Sequence, residues 1–127
     1  MQRYVLNPKP EKSVRVYGRG LRISAKSSAV VCKALTGKSL PKAQALVDSL
    51  LTREASLDGK FYTNIAKELS SLLKTAEANA EFKGLPPERL FLNASAHEGF
   101  TFRTPRRFKL RGRKKKIAHI QLVFQQR

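Results

Sequence analysis

A chain of 127 residues and 14.3 kDa is the length of one domain with a real hydrophobic core, and its hydrophobic fraction of 41% is ordinary globular usage. Lys and Arg number 26 against 9 Asp and Glu, a formal net charge of +17, which strains the compact state through self-repulsion and draws polyanions, nucleic acid before an anionic membrane. No apolar run is long enough to span a bilayer, the opening MQRYVLNPKPEKS lacks the apolar stretch of a signal peptide, and the lone Cys32 excludes an internal disulfide and a four-cysteine zinc site.

The chain is therefore expected to stay inside the cell, with Cys32 a small buried hydrophobe on a helix. Residues 1–13, with Pro8 and Pro10, read as an irregular lead-in to a domain over 14–127. SVRVYGRGLRIS sets Val14 and Val16 against Arg15 and Tyr17, the period of a half-buried strand. Ser24 can cap a helix over about 25–36, with Gly37 placed to end it. A second helix starts near Pro41 and carries Ala43, Leu46, Val47, Leu50 and Leu51 on one stripe. After a loop around Asp58 and Gly59, TNIAKELSSLLKTAEANAEFKG predicts the longest helix, buried through Ile65, Leu69, Leu72, Leu73, Ala76 and Ala80 and closed by Gly84 before Pro86 and Pro87.

Two strand-like segments remain, LFLNASAHEGFTF at 90–102 and IAHIQLVF at 117–124. Between them lies RTPRRFKLRGRKKK, with Arg103, Arg106, Arg107, Lys109, Arg111, Arg113, Lys114, Lys115 and Lys116 and no acidic residue. Such a block is usually a solvated, disordered arm. Here strands hold it at both ends, so the antiparallel pairing of 90–102 with 117–124 makes it the far end of one long hairpin. Arms of roughly eight to ten residues beyond the core project on the order of 30 Å. A two-stranded ribbon of that kind is marginal in water and needs a partner to lie against. Phe100, Phe102 and Phe108 interleave with the cations, the combination that stacks bases and neutralises phosphates, although Phe100 and Phe102 could equally pack along the ribbon. Arginine, whose planar fork suits phosphates and bases, dominates 103–113.

Other motifs carry less. TGKS at 36–39 imitates the end of a phosphate-binding loop, but Cys32 stands where that motif needs Gly and the segment ends a helix instead of opening one. His97 and His119 fall on the two arms of the expected hairpin, where they could be neighbours; without Cys or carboxylate companions they complete no zinc site, so packing or RNA contact is the expected role. No nucleophile, base and acid assemble into catalytic apparatus, and neither a cofactor nor a metal is implied. A general duplex-binding protein is disfavoured for want of a recognition helix dense in Arg and Lys. A membrane-surface protein is disfavoured because strands, not an amphipathic helix, bound the basic run.

The blocks Arg22-Ile23-Ser24-x-Lys26, Gly37-Lys38, Ala43 and Leu46, Ala76-Glu77-x-Asn79-Ala80, Glu98-Gly99, Pro105-Arg106, Gly112-Arg113 and His119-Ile120 recur in order along the chain. In these it resembles the universal large-subunit ribosomal protein twenty-two family, whose eukaryotic form is called protein seventeen, over about residues 14–124. Ala25 departs from the family's usual Pro, and the tip of the hairpin does not match residue for residue.

The resemblance implies an α+β fold of three helices packed on a small three-stranded antiparallel sheet, with a long protruding β-hairpin at about 90–124. It implies a non-enzymatic constituent of the large subunit of the cytoplasmic ribosome. Its partners would be large-subunit ribosomal RNA, neighbouring ribosomal proteins and the nascent polypeptide, with no membrane. Expected RNA contacts are Arg15, Arg19, Arg22, Lys26, Lys38, Arg103, Arg106, Arg107, Lys109, Arg111, Arg113, Lys114, Lys115 and Lys116. Arg106, Arg107, Phe108, Lys109, Leu110 and Arg111 form the tip expected to face the exit tunnel.

Overall fold

The computed structural model describes residues 6–103, 108–110 and 112–126. Its elements run β1 (Ser13–Leu21), α1 (Ala25–Leu35), α2 (Leu40–Leu51), α3 (Thr63–Lys83), β2 (Leu90–Glu98), β3 (Phe102–Arg103), β4 (Lys114–Lys115) and β5 (Ala118–Gln126). This is the expected α+β arrangement: three helices on a three-stranded antiparallel sheet in the order β1-β5-β2, with β3 and β4 pairing further along the hairpin.

The chain builds the sheet by alternation. Val14, Phe124 and Leu92 share one cross-strand row, and Val16, Leu122 and Ala94 share the next but one. These rows face the helices and are buried with them in one core cluster. The intervening rows, Arg15 with Val123 and Asn93, then Tyr17 with Gln121 and Ser95, point to the opposite face. Val123 is buried yet lies outside the core cluster, as a central-strand residue on that second face does.

The helices begin and end largely where their punctuation places them. Ser24 caps α1 by accepting from the Ser27 N–H, and Gly84 ends α3 in the left-handed region at φ 70°, which glycine adopts without a Cβ clash. Helix α1 lies over β2, α3 over β1, and α2 packs on α3. Gly18 lets α3 come close: a Cβ there would stand 2.9 Å from Leu21 Cδ1 and 3.0 Å from Leu72 Cδ1. The turn between α1 and α2 covers the outer edge of β2, with the Gly37 N–H donating to Leu92 O at 2.8 Å and the Leu92 N–H to Lys38 O at 2.9 Å. That pairing occupies an edge that would otherwise invite another strand.

Two details correct the sequence reading. Leu72, expected on the buried side of α3, is only partly buried, as are Leu46 and Leu51 on the stripe of α2, whereas Ala66 joins the core unannounced. An apolar stripe at helical spacing is wider than the contact it makes, so its flanking leucines remain at the rim. The strand expected at 90–102 also breaks, ending at Glu98 and resuming at Phe102.

Candidate nucleic-acid interface

The expected cations separate into three places once folded. Arg22, at the end of β1, donates from Nη1 to the carbonyl of Lys116 at 2.8 Å and so ties the first strand to the returning arm of the hairpin. Beside this tie opens a cavity of about 470 Å³ lined by Arg22, Ser24 and Ser27, by Tyr62, Thr63 and Asn64, by Lys114 and Lys116, and by the buried Ile23 and Ile65. Among the described residues no acidic side chain lines it. The first turns of α1 and α3 both border this space, and α3 starts with no side-chain cap. Free N–H groups and the positive ends of two helix dipoles therefore add to three side-chain cations. The chemistry such a concavity suits is that of a phosphate backbone.

Lys26 is exposed in the first turn of α1. Arg15 and Arg19 are exposed on β1, and Arg15 Nη1 reaches Asn7 Oδ1 at 3.3 Å. Lys38 sits apart at the far end of α1, half-buried beside β2. Along the hairpin Arg103 pairs with Lys114 and Phe102 with Lys115; Arg103, Arg113, Lys114 and Lys116 are exposed and Lys115 is half-buried. At the tip, Phe108 is 89% exposed and Lys109 is exposed, in a single turn of 3-10 helix that ends at Leu110. Phe100 is 65% exposed and is not packed along the ribbon. Arg106, Arg107 and Arg111 lie outside the described residues.

Sequence reasoning missed Ser27, Tyr62, Thr63 and Asn64. The polar start of α3 was visible, but that it meets the start of α1 is a tertiary fact which no local period carries. His97 and His119 are directly paired across the hairpin as expected, with ring centroids 5.1 Å apart. Among the described residues no group of His, Cys, Asp and Glu could hold a metal ion. Burial pushes the Cys32 thiol up to about 12, which keeps it protonated and inert as a nucleophile. No helix among the described residues is long and apolar enough to cross a membrane.

The chain is 26% identical to a large ribosomal subunit protein uL22 from Methanococcus aeolicus over 97% of its length and 95% of the relative's. It is 28% identical to the uL22 of Methanopyrus kandleri, over 92% of this chain and 89% of the other. It is 34% identical to the uL22 of Methanococcoides burtonii over 74% of each. The family model described as Ribosomal protein L22p/L17e matches residues 16–124, from the middle of β1 through all but the end of β5. The chain belongs to the ribosomal protein L22p/L17e family.

Proposed function

We propose that the chain is a structural, non-catalytic constituent of the large ribosomal subunit that binds large-subunit ribosomal RNA, with its hairpin reaching the tunnel through which the nascent polypeptide leaves. Residues 14–127 act in this reading as one unit, neighbouring ribosomal proteins flank it, and residues 1–13 are a lead-in. The observation that carries RNA binding is the acid-free cavity where Arg22, Lys114 and Lys116 converge on the starts of α1 and α3. Family membership supplies the polyanion, since the relatives are large-subunit proteins. The tunnel assignment rests on the exposed Phe108 and Lys109 at the end of a basic ribbon. Arg103, Arg113 and Lys114 to Lys116 lie on RNA, and Arg106 to Arg111 form the tip that meets the passing chain.

Sedimentation through a high-salt gradient tests the first part: the protein is expected to travel with large subunits, and its release to the top of the gradient would refute stable assembly. For the second, a photo-crosslinker at Phe108 on ribosomes stalled with nascent chains of graded length is expected to capture the nascent chain over a narrow band of lengths. Crosslinks to RNA alone at every length would place the tip inside RNA and remove the tunnel assignment, leaving RNA binding intact.

A further inference from the structure

Among the described residues the three helices all pack on one side of the sheet, so the rows that alternate outward meet none of them. At the hairpin end of that outer face three rings gather from three strands. Tyr17 and His119 stack with centroids 5.9 Å apart and planes 24° apart, His97 tilts against His119 at 5.1 Å, and the Tyr17 hydroxyl stands 3.4 Å from His97 Nε2. His119 is fixed further by the Gly20 N–H, which donates to its Nδ1 at 2.9 Å. His97 is exposed and Tyr17 and His119 are half-exposed, so the ring cluster is open to solvent. Arg15 and Arg19 are exposed on the same strand as Tyr17 and at alternating positions, with Arg19 close enough to His119 to act on its charge. The three strands contribute no carboxylate to this face; Glu98, their one acidic residue, falls in the helix-side alternation.

We propose that this face is a second RNA contact, a platform on which an unpaired base stacks against the Tyr17, His97 and His119 rings while Arg15 and Arg19 take the flanking phosphates. The proposal rests on the RNA-binding reading above and adds to it a site specific for single strands. Every base has a π-face that aromatic and imidazole rings accept, and sheets with exposed rings and flanking cations recognise single-stranded RNA in this way. A duplex keeps its bases stacked inside and cannot use the platform, whereas the cavity at Arg22, Lys114 and Lys116 needs only phosphates. The asymmetry between the two substrates separates the sites. Asn93, exposed on β2 one row beyond Ser95, offers an amide for the edge of a neighbouring base.

The test uses the full chain, a short single-stranded oligoadenylate carrying a fluorescent purine analogue, and an RNA duplex of matched length. Tyr17→Ala is expected to weaken single-strand binding about tenfold and abolish fluorescence quenching, with duplex affinity unchanged, and Tyr17→Phe is expected to retain both. Unchanged single-strand affinity and quenching in Tyr17→Ala would overturn the platform while the parent's RNA binding stood. Equal losses on single strand and duplex would overturn it too, since they report damage to the fold. If Tyr17→Ala loses its circular dichroism signature, the exposed His97→Ala decides alone: reduced quenching supports the platform and undiminished quenching refutes it. Failure of the parent to bind either RNA would overturn the RNA-binding reading and the platform together.

Discussion

Gly99 and His119 make a pair whose coupling can be worked out in advance. Gly99 ends the straight part of the hairpin, where its N–H donates to Ile117 O at 2.8 Å. A Cβ placed on it would stand 2.8 Å from His119 Nε2, 3.2 Å from Cε1 of the same ring and 3.1 Å from Ile117 Cγ2. The ring cannot swing aside freely, because Nδ1 accepts from the Gly20 N–H and one face stacks on Tyr17. Gly99→Ala therefore displaces the ring at the expense of that hydrogen bond, about 0.5–1.5 kcal/mol, with part of the ring contact added. Against this, alanine restricts the unfolded chain and returns about 0.4–1 kcal/mol. The net effect in the parent is expected to fall between about 0 and 1 kcal/mol of destabilisation. In a His119→Ala background the obstacle is gone apart from a small adjustment at Ile117, and the same change is expected to stabilise by about 0.5 kcal/mol. Urea unfolding of the parent, both single variants and the double variant gives the coupling directly, expected near 1 kcal/mol. A Gly99→Ala effect of the same sign and size in both backgrounds would refute the claim that a fixed His119 ring is what requires glycine here.

Further outcomes follow from burial and charge. Phe124, fully buried in the central strand between Val14 and Leu92, is expected to cost about 3–5 kcal/mol as Phe124→Ala, and the partly buried Leu46 less than half of that as Leu46→Ala, both read by chemical denaturation. Deleting residues 104–113 and joining Arg103 to Lys114 through Asn-Gly closes a directly paired position with a two-residue turn, so stability is expected to stay within about 0.5 kcal/mol of the parent. Loss of a cooperative thermal transition would show that the distal hairpin packs on the body. Desolvation, followed by His97 and Arg19, holds the His119 pKa below its usual value. The neutral ring's contribution is therefore present above the unfolded-state pKa near 6.5 and lost as pH falls through the lower folded-state value. Melting curves below neutrality are expected to show a fall in Tm that His119→Asn, which keeps an acceptor but cannot titrate, makes shallower.

Much of the fold was legible because its signals are local. Ser24, Gly84 and the Pro86-Pro87 pair bound their helices as helix chemistry requires, and the alternation in IAHIQLVF marked the strand that became central. The hairpin followed from two strand signals flanking one basic run, and with it the pairing of His97 with His119. Long-range assembly was not legible. Tyr17 joins the two histidines only because β1 adds to the far side of β5, and the cavity needs Arg22, Asn64 and Lys116, brought together from distant parts of the chain. Leu72 was placed too deep, since periodicity gives a direction and not a depth.

The claim on which the rest depends is that the cavity at the neck of the hairpin binds phosphates. It is tested most directly by the salt dependence of binding to a large-subunit ribosomal RNA fragment, comparing the parent with a triple variant Arg22→Gln, Lys114→Gln, Lys116→Gln. Glutamine at position 22 keeps a donor for the Lys116 carbonyl, and circular dichroism checks that both proteins fold alike. Each phosphate contact removed lowers the slope of log affinity against log salt by about 0.7 for single strands and 0.9 for duplex. The slope is expected to be shallower by about 2 to 3 in the triple variant; identical slopes for the two proteins would show that the cavity holds no phosphates.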